Sequence, residues 1–93
     1  MDIRYGRFIW DREKERGNIA KHGIDFMSAA YAFLDPMRKV FTDSMHSGGE
    51  SRYFCIGMAE GRIITVRFTY RDRNIRIFGA GYWRKGRVYY EKS

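Results

Sequence analysis

A single cysteine in 93 residues leaves Cys55 with nothing to pair with, so an internal disulfide is excluded. The two histidines, His22 and His46, and that thiol are spread along the chain without metal-ligand spacing. No structural zinc is expected. No apolar run approaches the roughly 18 residues that a membrane-spanning helix needs. The N-terminus lacks the basic, apolar and small-residue regions of a secretory signal. The expected compartment is the cytoplasm, with no membrane partner. The chain has one proline and ten scattered glycines, and it shows neither a linker nor an internal repeat. Its length is enough for one hydrophobic core and too short for two, so a single domain over residues 1–93 is expected.

Aromatic side chains and positive charge are plentiful. Aromatics make up 17% of the chain and hydrophobic residues 44%, which removes the signature of disorder and lets a small core reach stability. Eighteen Lys and Arg against eleven Asp and Glu give a net charge of +7. A field of that sign favours RNA, DNA or an acidic protein partner over a small neutral substrate. The plain alternative is a basic surface kept for solubility.

The order of patterns is helical first and strand-rich afterwards, which argues α+β. Ile3 to Trp10 reads as one short strand leading to Asp11, a good helix N-cap. From Arg12 to His22 the signals sit at the ends, with Glu13 and Glu15 early, Lys21 and His22 late, and Gly23 as the left-handed stop. Ile19 and Ala20 are almost its only apolar residues, so this helix is expected to be largely solvated. Asp25 caps a second helix in which Phe26, Ala29, Ala30 and Phe33 form one stripe, and Asp35-Pro36 ends it. After a polar loop from Thr42 to Ser51, a three-stranded antiparallel meander is expected. Its strands are Tyr53–Met58, Ile63–Tyr70 and Ile75–Phe78, joined through Ala59-Glu60-Gly61 and through a tight turn at Asp72-Arg73. A C-terminal tail follows.

Alternation along these strands places Phe54, Ile56, Ile64, Val66, Phe68, Ile75 and Ile77 on one face and Tyr53, Thr65, Arg67, Thr69, Arg71 and Arg76 on the other. A turn at Asp72-Arg73 sets Thr69 opposite Arg76 with Arg67 and Arg71 as diagonal neighbours. Three guanidiniums so close repel one another unless an anion or a carboxylate lies among them. Planar bidentate donors suit phosphate; the competing reading is an ordinary solvated face. Metal-free RNA cleavage also needs groups to take and give protons. Lys21 and His22 come first, then His46 and Glu50, although Glu50 paired with Arg52 in a structural loop fits equally.

Several segments resemble the BrnT toxin family: Phe8, Trp10, Asp11, Lys14 and Asn18; Lys21-His22-Gly23-Ile24 with Phe26, Ala30, Phe33 and Asp35-Pro36; Asp43, His46-Ser47, Glu50, Arg52 and Gly57; and Val66, Thr69, Arg71 and Ile75-Arg76-Ile77. The resemblance implies a RelE-like α+β fold and a ribonuclease toxin that inhibits translation and needs no cofactor. It also implies a BrnA-like antitoxin, RNA as substrate, on or off the ribosome, and operator DNA met only through the antitoxin complex. Arg52, Arg67, Thr69, Arg71 and Arg76 become the expected RNA-binding set. One departure stands out: where many relatives follow the last strand with Ser-Ala-Arg, this chain has Gly79-Ala80-Gly81. Arg84 or Lys85 is then the expected replacement for the missing arginine. Tyr82 and Trp83 are expected either to stack on bases or to serve as core or antitoxin contacts. The alternative function is a non-catalytic basic module that binds RNA or a partner without cleaving it.

Overall fold

In the computed structural model, which describes residues 1–45 and 48–92, the segment read as one N-terminal strand is a hairpin. Gly6 takes a φ of 60° between β1 (Asp2–Tyr5) and β2 (Phe8–Asp11), a left-handed conformation that glycine adopts without strain. Asp11 then caps α1 (Arg12–His22), accepting from Lys14 N, and Gly23 closes it with φ 71° and an N–H bonded to Ile19 O. No residue of α1 is buried, as its sparse apolar content predicts. Side-chain hydrogen bonds hold it instead. Glu15 accepts from Trp10 Nε1 and from Phe26 N, while Asn18 donates to Ile24 O and accepts from Ala80 N.

Asp25 caps α2 (Phe26–Ala30), and the stripe continues through a 3₁₀ turn (Tyr31–Leu34) that carries Phe33. Beyond Pro36 the chain forms β3 (Lys39–Thr42), β4 (Tyr53–Ala59), β5 (Arg62–Arg71), β6 (Asn74–Gly81) and α3 (Arg84–Glu91). Among the described residues the sheet has six strands in the order β1-β2-β6-β5-β4-β3. All neighbours are antiparallel except β2 and β6, which run parallel at Phe8–Ile75 and Ile9–Arg76. The α+β class therefore holds, with three corrections to its detail. The N-terminal strand is two strands, the meander is part of a mixed six-stranded sheet, and the expected tail is a helix. β3 lies almost entirely in the stretch between the helix end at Asp35-Pro36 and the polar loop from Thr42, to which sequence reading assigns no element. Pairing with β4 at Lys39–Ile56 to Thr42–Tyr53 supplies what its short, half-polar sequence does not announce.

Turn geometry decides which side chains meet. The β4–β5 turn is the two residues Glu60-Gly61, both at positive φ, so Ala59 stays in the strand and pairs with Arg62. That register sets Phe54 opposite Arg67 and Ile56 opposite Thr65. The expected alternation of β4 is therefore inverted: Tyr53 joins the helix-covered core, stacking on Phe68 at 5.5 Å, while Phe54 and Ile56 lie on the face with the arginines. One residue more or less in a turn moves a whole strand's side chains to the other face. The Asp72-Arg73 turn, also at positive φ at both positions, gives the expected register, with Thr69 opposite Arg76.

The core fills one side of the sheet. Trp10, Ile24, Phe26, Ala29, Ala30, Ala32, Cys55, Val66, Phe68, Ile77 and Ala80 are buried together beneath α2 and the 3₁₀ turn. Each fully buried large side chain contributes roughly 1.5–3 kcal/mol. Gly57 permits the closest approach, because a Cβ there would overlap the backbone carbonyl of Ala32.

Candidate functional site

Among the described residues the other face of the sheet is covered at one end by α3, and Glu50 and Ser51 reach over Arg71 and Thr69. Its open part carries the predicted arginines, and their surroundings differ. Arg71 Nη2 lies 2.9 Å from Glu50 Oε1, and Arg76 Nη2 lies 2.5 Å from Asp2 Oδ2. The carboxylates that like-charge repulsion calls for are thus supplied by the chain itself. Glu50 pairs with Arg71, not with Arg52. The Arg76 side chain is only 17% exposed, and its Nε is buried without a hydrogen-bond partner among the described residues. Thr69 is buried between these strands and donates from Oγ1 to Ser51 O at 2.6 Å.

Arg67 has no carboxylate partner among the described residues. Its guanidinium lies over the Phe78 ring at 5.2 Å, and Arg52 lies over the same ring at 5.0 Å. Phe78 owes this position to an irregularity in the β5–β6 pairing, where Arg67 faces Gly79 and Phe68 faces Ile77, leaving Phe78 as the extra residue. Sequence reading ended the last strand at Phe78 and missed this role, because a bulge has no signature in the alternation of one strand.

The remaining predicted residues fall into separate places. Lys21 is exposed on the last turn of α1, and His22 sits edge-on to Trp83 with ring centroids 5.4 Å apart. His46 lies outside the described residues. Tyr82 and Trp83 diverge: Tyr82 lies under the Arg62 guanidinium at 4.5 Å, whereas Trp83 precedes α3 and lines a groove with Lys85. Arg84 and Lys85 are both exposed on the first turn of α3.

The glycine at position 81 has a structural reason. A Cβ at Gly81 would come within 2.6 Å of the Trp83 ring. An arginine at this position and the observed seat of Trp83 therefore exclude one another. Gly79 is different, since a Cβ there would meet Arg67 Cδ at an ordinary 3.5 Å. A serine would fit at Gly79.

Two clusters hold α3 and the edge strand in place. Asp35 accepts from Met37 N, Met58 N and the Tyr90 hydroxyl, the last at 2.5 Å. The Tyr90 hydrogen bond holds the Asp35 carboxyl below its ordinary pKa, and the same bond pushes the Tyr90 phenol up. On the other side of α3, Lys39 Nζ donates to Tyr89 O at 2.7 Å. Burial pushes the Cys55 thiol up to about 12, which keeps it protonated and unreactive at neutral pH. No helix among the described residues is long and apolar enough to cross a membrane.

None of the curated proteins matches the chain. A family model described as "Ribonuclease toxin, BrnT, of type II toxin-antitoxin system" matches residues 10–86. The match spans α1, most of the core and the whole arginine face, and leaves out β1 with Asp2, Phe8 and Ile9 of β2, and most of α3. The chain therefore belongs to the BrnT family of ribonuclease toxins from type II toxin–antitoxin systems.

Proposed function

We propose that this toxin inhibits translation by cutting RNA without a metal ion, using the arginine face of its sheet to hold the scissile phosphate. The observation that carries this reading is the state of Arg67: a guanidinium fixed over Phe78, beside Arg52, with no carboxylate partner among the described residues. A phosphate docked there gains bidentate, charge-assisted hydrogen bonds without first breaking an ion pair. Arg71 and Arg76 then exchange Glu50 and Asp2 for phosphate oxygens. As the pentavalent transition state gathers negative charge, preset guanidiniums stabilise it more than the ground state. Thr69 stiffens the strand between them.

Proton transfer is assigned to Glu50 on this face and to groups at the C-terminal end of α1. Glu50, released from Arg71, is a base for the 2′-hydroxyl. His22 is an acid for the leaving oxygen, with Lys21 next to it on the same helix end. His46 stays in the candidate set by its sequence position. Arg84 and Lys85 extend the basic surface along α3. A BrnA-like antitoxin neutralises the toxin by covering this face, and operator DNA is met only through that complex.

The test is primer extension on cellular RNA after brief induction of the wild-type chain and of Arg67→Ala, with translation rate followed in parallel. New cleavage ends that disappear in Arg67→Ala, and that purified toxin also produces in the presence of EDTA, are the expected outcome. Growth arrest with intact RNA would discard the nuclease mechanism and leave a basic module that blocks translation by binding. Cleavage that stops in EDTA would discard metal independence alone.

A further inference from the structure

Between α3 and the sheet runs a groove of about 440 Å³ that the phosphate-binding reading does not use. Its size falls within the roughly 300–1,000 Å³ of ligand pockets. One wall is a run of rings, Phe54 against Phe41 at 5.2 Å and Phe41 against Tyr89 at 5.1 Å. Trp83, seated on Gly81, also lines the groove, and Lys85 adds a positive charge. Thr65 lines it as well, 5% exposed, with a hydroxyl that finds no hydrogen-bond partner among the described residues.

We infer that this groove is a nucleobase subsite, which takes the base of a nucleotide next to the scissile phosphate and prefers a purine. The inference rests on the arginine face being the phosphate site, and continuity along β5 links the two. Phe54 lies directly opposite Arg67, and Ile56 opposite Thr65. Two residues of strand, about 6.6 Å, separate the Arg67 guanidinium's strand position from the groove. A flexible single strand held at Arg67 therefore has its neighbouring base at the groove mouth.

The lining fits a base better than it fits a polar or charged group. Aromatic rings stack on any base, and the larger purine face stacks more strongly. Lys85 answers the charge of the next phosphate. The Gly81–Trp83 pairing gains a meaning from this. With no Cβ at Gly81, the Trp83 indole comes down onto the strand and offers a stacking surface there. His22, edge-on to that indole, sits one ring away from the bound nucleotide.

Trp83 itself reports occupancy, since the other tryptophan, Trp10, is 2% exposed and hydrogen-bonded to Glu15. The full chain is titrated with AMP, UMP and ribose 5-phosphate, and tryptophan emission is followed. Saturable quenching by AMP, weaker response to UMP, and none to ribose 5-phosphate are expected. Tyr89→Ala, at an exposed position that leaves the core untouched, should weaken AMP binding about tenfold or more. Equal responses to AMP and ribose 5-phosphate, or no response to any of the three, would overturn the inference. So would emission changed only by an antitoxin segment, which would give the groove to that partner. Wild-type cleavage of RNA without any nucleotide response sinks the base subsite and leaves the arginine face standing. Nucleotide response without cleavage does the reverse.

Discussion

The two faces of the sheet are built from the same strands and held by different physics. Under α2 and the 3₁₀ turn, Phe26, Phe68 and Ile77 are fully buried, and even the glycine contact is against rigid backbone. On the opposite face, the residues that alternate with Phe68 and Ile77 along their strands include Arg67, Thr69, Arg71 and Arg76, and together with Arg52 they are tied by two ion pairs and two cation–π contacts. Packing energy in this small protein is concentrated on one side. The other side is left free to carry charge that would be costly in a core.

The largest expected effect breaks the helix-covered side. Phe68→Ala should cost about 3–5 kcal/mol, a large part of the stability of a 93-residue domain, whereas Arg71→Ala should cost less than about 1 kcal/mol because its ion pair with Glu50 is half exposed. Urea unfolding of the two variants measures the contrast. Comparable losses would mean that the arginine face is structural.

A smaller pair of changes sharpens the same comparison through two glycines. Gly57→Ala drives a methyl into the Ala32 carbonyl, which is backbone and cannot turn aside, so a loss of about 1–3 kcal/mol is expected. Gly86→Ala meets the Thr65 hydroxyl, which a rotamer change can move. Its cost should be smaller and should vanish in the Gly86→Ala, Thr65→Ala double variant, where alanine's better helix propensity is left. Failure of that rescue would show that α3 is anchored elsewhere.

The smallest effect concerns acid. Asp35 has a lowered carboxyl pKa chiefly because the Tyr90 hydroxyl donates to it, with Met58 and Met37 N–H groups adding to the shift. A depressed folded pKa contributes stability that is fully present above the ordinary carboxylate range and is lost as pH falls through the lowered value. Near and below that range, wild-type protein should lose α3 docking, followed by hydrogen exchange in residues 84–91. Tyr90→Phe should flatten this part of the pH dependence, and an unchanged profile would remove Asp35 as the cause.

The helices were readable because their signals are local. Asp11, Gly23 and Asp25 act within a few residues of themselves, and the structure uses each as its chemistry predicts. The Asp72-Arg73 turn was readable for the same reason, and with it the gathering of Arg67, Thr69, Arg71 and Arg76 on one face. The β4 alternation was not, since a two-residue and a three-residue turn read alike around Glu60-Gly61 and differ only in parity. α3 was hidden because its sequence lacks a capping side chain and has Gly86 in its middle. That glycine weakens a helix in isolation and is required where the helix touches Thr65.

By itself, then, the sequence determined the α+β class, the capped helices, the basic character and the residues that resemble the BrnT family, because each depends on composition or on neighbours along the chain. Only the tertiary structure decided that Asp2 pairs with Arg76, that Phe78 carries two arginines and that Gly81 seats Trp83. Each of these joins residues through strand register, a bulge or a close approach, and none of those distances exists until the sheet has formed.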